Sequence, residues 1–354
     1  MEEQSGKSML PAFTRGRTRR AAALFAVGAV ALVVAACGSS GSSSGGGGGS
    51  SQASGGDSGK QVKVGVLIPG FPKDGGFMES AAAGVDRAKS DLGGKVKIQS
   101  ITQVSSADMQ QALTQLATSS DLVVSIGGQT DEALRQVVKS FPSKKFVEVG
   151  GPPDTLSNLA MYDPKQAEIA FVAGALAALS SKTGKVQFLA GLEIPPIVNT
   201  ANEFAKGAKY AKPSITVLPP GYTGDFEDVS KAKEAALAGI ARGADVQYQI
   251  LNTGLKGMLQ AAHEKGTKVI GGPLTHACGF DPAFLGYTKS DIGLAAEFAM
   301  KQVIAGTWKA QYIPFGLAST TGASGIVSCN DEAAVKSKLQ KIMADIKSGK
   351  IKTV

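Results

Sequence analysis

Cys37 is the residue whose setting specifies chemistry most directly. It follows Val34-Ala35-Ala36 at the end of an uncharged apolar run, Ala21 to Ala36, that Arg15, Arg17, Arg19 and Arg20 precede. A basic stretch is held on the cytoplasmic side of a bilayer. The apolar run is too short and too abruptly ended for a comfortable span, and small residues before a cysteine suit a signal peptidase. The expected product begins at Cys37, with its thiol carrying lipid. The competing reading is an ordinary membrane anchor followed by an unmodified thiol.

Two more cysteines, Cys278 and Cys329, would both reach an oxidising compartment after export, and an even remaining count permits one disulfide. Closing that loop would constrain the unfolded chain by about 4 kcal/mol. The alternative is two separately buried small side chains. Other reactive groups are sparse. Of the two histidines, His263 sits in a charged helical pattern and His276 in a Gly/Pro loop near Cys278. No H-E-x-x-H, G-x-S-x-G, phosphate-cradling G-x-x-x-x-G-K-[ST] or cysteine-histidine metal spacing is present, and no G-x-G-x-x-G follows the first strand pattern. Enzymatic chemistry is therefore unsupported by these residues, and no catalytic residue, metal or cofactor is expected.

The elements that must position any binding residues follow from hydrophobic patterning. Gly38 to Lys60 is almost wholly Gly and Ser, cannot bury a core, and reads as a tether with a reach of about 25 Å. The formal charge of +8 falls to +5 without residues 1–36, which hold five basic and two acidic residues. That mild excess, spread over helix faces through Lys206, Lys209, Lys212, Lys231 and Lys233 with no aromatic platform beside it, argues against a nucleic-acid partner.

From Val62 onward, short apolar runs alternate with amphipathic segments. Strands are expected at 62–68, 122–126, 145–149, 186–190, 215–218, 246–250 and 268–270, with helices between them. This alternation specifies parallel α/β sheets with right-handed crossovers. A break near Asp154 to Pro164 divides the pattern into two sheets. The expected organisation is a signal peptide over 1–36, a tether over 37–60, a first lobe from 61–160 plus 284–354, and a second lobe from 161–283. In such sheets the loops leaving the carboxyl ends of strands line the ligand crevice. Here they include Pro69 to Glu79, Gly127 to Asp131, Gly191 to Pro196, Tyr222 to Asp228 and Asn252 to Gly254.

Several blocks in order resemble the basic membrane protein family of extracytoplasmic substrate-binding lipoproteins, which includes purine nucleoside receptors of ABC importers. They are Thr183 to Val186 running into Gly191 to Pro195, Phe204 with Gly207 to Tyr210, Tyr222 to Asp228, Gly243 to Val246, Val269 to Gly271, and Ser348 to Ile351. The resemblance implies a type I periplasmic-binding-protein-like fold, two doubly wound parallel-sheet lobes joined by a hinge and closing over a small molecule. It implies a lipid-anchored protein on the outer face of the cell membrane that captures a nucleoside-like ligand for an ABC permease. A receptor signalling to another membrane partner would use the same hinge.

In that family an aromatic from each lobe sandwiches the base, and the matching positions are Phe77 and Phe226. Lys289 matches a lysine that contacts the sugar, or is a surface lysine at a helix start. Asp74, Asp131 and Asn252 are placed to offer polar contacts, though all three also suit helix starts or caps. Ile68-Pro69, Met78 and Gly272-Pro273-Leu274 stand where the family carries polar or acidic residues. Those departures leave a modified nucleoside, a free base or another planar polar metabolite open.

Overall fold

The computed structural model describes residues 61–272, 278–319, 324–330 and 332–354, and Asp57–Val354 forms one compact unit. The tether and Cys37 lie outside the described residues.

The first lobe opens with β1 (Val62–Ile68), α1 (Phe77–Leu92), β2 (Val96–Thr102), α2 (Met109–Ser119), β3 (Leu122–Ile126), α3 (Asp131–Ser140), β4 (Lys145–Val149) and β5 (Leu159–Asp163). The chain then enters the second lobe through α4 (Gln166–Ser180), β6 (Lys185–Ala190), α5 (Pro195–Ala211), β7 (Thr216–Val217), β8 (Gly221–Tyr222), α6 (Val229–Ala241), β9 (Val246–Ile250), α7 (Leu255–Lys265), β10 (Lys268–Gly271) and β11 (Phe284–Lys289). It returns to the first lobe for α8 (Ile292–Ile304) and β12 (Tyr312–Pro314), and finishes in the second with β13 (Gly325–Ser328) and α9 (Ala333–Lys347).

Strand order explains where a site can form. One sheet runs β12-β5-β4-β3-β1-β2 and the other β13-β11-β10-β9-β6-β7, with β8 also on β6. In both, the order reverses at the lobe's first strand, with β1 beside β3 and β6 beside β9. Helices on opposite faces leave a crevice at such switch points, at the strands' carboxyl ends. β1 and β3 are almost fully buried, as strands covered on both faces must be.

Five strands escaped the periodicity, β2, β5, β8, β12 and β13, the last three being only two to four residues long. β2 is an edge strand with about half its side chains exposed, so Lys97 and Gln99 interrupt its apolar run. β5 occupies the segment read as a break between sheets, and it pairs with β4 on one side and β12 on the other. The division of lobes is corrected as well. β11 adds in parallel to β10, so 284–289 belongs to the second sheet, and β13 pairs antiparallel with β11. Only the α8–β12 excursion rejoins the first lobe, giving three crossings between lobes instead of two.

That excursion is anchored by backbone contact. A Cβ at Gly84 of α1 would lie 2.1 Å from the Gly293 Cα of α8, so both positions must lack side chains. Arg87 reinforces the pair, donating to Asp291 at 2.9 Å and to Glu297 at 3.0 Å. Cys278 and Cys329 form a disulfide that ties the approach to β11 to the end of β13. Among the described residues no helix is long and apolar enough to cross a membrane.

Gly84→Ala forces α1 and α8 apart. The expected cost is about 1–3 kcal/mol, read as a lower urea midpoint. An unchanged midpoint would show that the helices tolerate separation.

Candidate functional site

The site is assembled at the two switch points. After β1 the chain makes a Gly-rich turn in which Asp74 accepts backbone hydrogen bonds from Gly76 at 2.8 Å, Glu79 at 3.0 Å and Met78 at 3.2 Å. Those are the orphan donors at the start of α1, and satisfying them sets the position of Phe77, the first helical residue. Asp74 is therefore buried in helix capping rather than facing a ligand. Its carboxyl is pushed up from the ordinary carboxylate range, chiefly by burial and partly opposed by those same hydrogen bonds.

On the opposite lobe the Phe226 carbonyl accepts from Asn252 N at 3.1 Å and Gly254 N at 3.0 Å. This pins the loop after β8 to the end of β9. The Phe226 ring lies directly on Gly191, where a Cβ would come within 2.3 Å of ring carbon Cδ1. Asn252 Nδ2 donates to Glu227 Oε1 at 2.7 Å, and Thr253 N donates to Glu227 Oε2 at 3.2 Å.

Phe77 and Phe226 line a single narrow slot together with Gln129, Gln166, Ile194, Ile250 and Asn252. Gly127, Gly128 and Gly150 let first-lobe backbone form its wall. No charged side chain lines it. The lobes touch around it: a Cβ at Gly128 would meet Pro196 at 3.1 Å, and one at Gly70 would meet Glu227 Oε1 at 2.6 Å. Adjoining the slot is a wider chamber of about 820 Å³, lined by Ser105, Ser106, Asp225 and Glu227 among others.

Of the six expected binding residues, the structure brings Phe77, Phe226 and Asn252 together. Asp131 starts α3 and lies 2.7 Å from Arg135 Nε. Lys289 is exposed at the carboxyl end of β11 and lines neither cavity. Pro273 and Leu274, where an acidic contact was found missing, lie outside the described residues, as does His276. Gln129 and Gln166 went unrecognised. Gln129 follows a Gly-Gly pair at the end of β3, a signal that was available; Gln166 begins a helix whose pattern reads only as buried.

Behind the Gly127–Thr130 turn lies Glu148, wholly buried on β4. Thr130 Oγ1 accepts from Ser125 Oγ at 2.8 Å and lies 2.9 Å from Gly127 O and 3.2 Å from Glu148 Oε1. Burial first, and the facing Asp131 carboxylate second, hold the Glu148 pKa well above the ordinary range. Oε2 has no protein donor within reach, which suits a carboxyl keeping its own proton. This network braces the turn that presents Gln129.

A raised folded-state pKa means that the folded protein binds this proton more tightly than the unfolded chain. The associated stability is complete below the unfolded value near 4.5 and is lost as pH rises toward the folded value. Glu148→Gln keeps the neutral shape without the proton. Its unfolding midpoint, compared with that of the parent, is expected to improve progressively as pH rises; a pH-independent difference would overturn this.

Comparison with known proteins agrees with this geometry. A profile of the family described as ABC transporter substrate-binding protein PnrA-like matches residues 61–353. The chain is 28% identical over 281 residues to an uncharacterised lipoprotein of Pyrococcus horikoshii, covering 73% of this chain and 67% of that one. It is 27% identical over 300 residues to a purine-binding protein of Brucella abortus, covering 82% and 83%. An ABC transporter nucleoside-binding protein of Lactococcus lactis is 28% identical over 246 residues, covering 65% and 70%. In fold, a solute-binding protein of an ABC transporter system from Aeropyrum pernix superimposes with a TM-score of 0.71 at 23% identity, covering 83% of this chain and 93% of that one. Two α/β lobes, a slot between their switch points and a profile match across the whole folded body place this chain in the PnrA-like family of ABC transporter substrate-binding proteins, with a solute-binding role for an ABC importer and not an enzymatic one.

Proposed function

We propose that the slot binds a planar heteroaromatic ring of the nucleoside or nucleobase class and that the protein delivers it to its permease from a lipid anchor at Cys37. The observation that carries the ligand reading is the placement of one phenylalanine from each lobe, Phe77 and Phe226, on the same slot, with neutral amides from Gln129, Gln166 and Asn252 around them. Aromatic faces supply ring contact worth about 0.5–1.5 kcal/mol beyond area burial. Carboxamides each offer a donor and an acceptor, matching the mixed edge of a base. The names of the purine-binding and nucleoside-binding relatives support the same class. For the anchor, the support is the Val34-Ala35-Ala36-Cys37 sequence and the relative named a lipoprotein.

The test is calorimetric titration of chain freed of co-purified ligand, against nucleosides, bases and sugars. Saturable 1:1 binding of a base or nucleoside is expected, weakened about 10- to 100-fold by Phe226→Ala. Binding of sugars alone, indifferent to Phe226→Ala, would overturn the reading. For the anchor, Cys37→Ala is expected to abolish incorporation of a labelled fatty acid and release the protein from membranes; retained label would remove Cys37 from that role.

A further inference from the structure

We infer that the lysine-bearing face built by the second half of α5 and by α9 rests on an anionic lipid surface. The positive charge of the folded body is concentrated there. Residues 203–215 and 333–352 together hold nine lysines, no arginine and two acidic residues, Glu203 and Asp345, whereas the rest of residues 61–354 holds 22 basic and 24 acidic residues. The whole positive excess of the body therefore belongs to these two helical segments of the second lobe.

Packing turns that count into a surface. Lys338 Nζ donates to Ala211 O at 2.8 Å, which brings α9 against the last turn of α5, and Lys341 lies within electrostatic reach of Tyr210. The two acids are recessed beneath the cations. The Glu203 side chain, 0% exposed, pairs with Lys206 at 61%, and Asp345 at 13% pairs with both Lys341 and Lys350 at 67%. The ammonium groups thus stand outermost. Glu332, exposed at the cap of α9, is the next acid along the chain. Tyr210 stands among the lysines 52% exposed, with its ring backed by that of Phe171. An aromatic ring with a polar tip suits the headgroup boundary of a bilayer.

A bilayer is the partner this chemistry fits. Arginine's planar fork suits a defined phosphate or carboxylate, whereas lysines are point charges on flexible stems, matched to a diffuse anionic surface. With Phe204 buried, Tyr210 is the one aromatic these segments expose, so a nucleic acid would find no run of stacking faces. The proposed lipid anchor at Cys37 and its tether, with a reach of about 25 Å, hold the body close to a membrane. The choice of partner rests on that reading. Contact at this face leaves the slot uncovered, because Pro196 lines the slot at the opposite end of α5, about 20 Å along the helix from Tyr210.

Residues 57–354 form one compact unit that contains both sheets and the disulfide, so the test is made without the anchor and can fail independently of it. This unit is sedimented with vesicles of phosphatidylcholine alone, and with vesicles carrying about 30% phosphatidylglycerol, at about 0.05 M and about 0.5 M salt. Partition is expected to be at least about tenfold stronger on the anionic vesicles at low salt and to be lost at high salt. Lys209→Gln/Lys341→Gln/Lys350→Gln is expected to weaken it about 100-fold, near fivefold for each charge removed. Arginine at the same three positions keeps the charge and is expected to keep the partition. An equal loss of charge on the first lobe, Lys97→Gln/Lys139→Gln/Lys309→Gln, is expected to leave partition within about twofold of the parent. The inference is overturned if the parent shows no preference for anionic vesicles, or if the two glutamine variants lose partition equally, which would make net charge and not this face responsible. Retention of the parent on immobilised polyphosphate without vesicle binding, abolished by the α5–α9 variant, would give the face to a soluble polyanion and overturn the membrane assignment.

Discussion

The arrangement of both lobes depends on the backbone contact between α1 and α8 at Gly84 and Gly293. α8 is the part of the chain that leaves the second lobe after β11 and docks on the first, so the second and third crossings are defined by where it packs. The same contact fixes α1, and the first residue of α1 is Phe77. One tight helix pair thus sets the geometry of the crossings and the position of one wall of the slot. Two glycines are needed because ridges of ordinary side chains hold helices 8–10 Å apart. The ion pairs from Arg87 add orientation; since its guanidinium is more than a third exposed, their energetic share is small beside the packing.

The second lobe fixes its aromatic by a different device. Phe226 sits in a loop, where a side chain would ordinarily be mobile. Its carbonyl is held by two amides from the end of β9, Glu227 is held by two more donors from the same turn, and the ring rests on Gly191. Loop position brings the ring to the cleft; hydrogen bonds give it the rigidity of a sheet. On the first lobe the buried Ser125–Thr130–Glu148 cluster serves the Gly127–Thr130 turn in the same way. Each wall is thus held by hydrogen bonds within its own lobe, an arrangement that limits the ordering entropy any binding must overcome.

The parts legible in the sequence were those governed by local periodicity. The apolar runs of β1, β3, β4, β6 and β9 lie within a residue of the expected strands and are continuous enough to be read directly. What was not legible depends on partners distant in sequence. β2 is half exposed, β5 ends against Pro164 in a segment that also holds Pro152 and Pro153, and no local pattern says that β11 extends the second sheet rather than returning to the first. The same divide runs through the site. Phe77 and Phe226 stand out as aromatics in Gly-rich loops, whereas Asp74 and Asp131 read equally as ligand contacts or helix-start residues, and their hydrogen bonds show capping for the first and pairing with Arg135 for the second. Gln129 and Gln166 are neutral and isolated in sequence, and only the meeting of two sheets gives them a common target.

Dividing the slot between lobes also explains how binding can drive closure. A ligand shifts an equilibrium only by the difference in its affinity for the two states. Were both aromatics on one lobe, the open form would hold the ring nearly as well as the closed form, and little free energy would remain to bring the lobes together. With Phe77 on one lobe and Phe226 on the other, an open cleft offers one face of stacking and closure adds the second. The Gly70 turn against Glu227, and Gly128 against Pro196, show how closely the lobes approach when that happens. The Asp74 carboxyl is pushed up chiefly by burial, with a small like-charge contribution from Glu227 of the other lobe. Under the proposed reading, a ligand lacking either the flat ring or the polar edge would provide only part of the difference, so the residues that hold the solute would also decide which solutes close the protein.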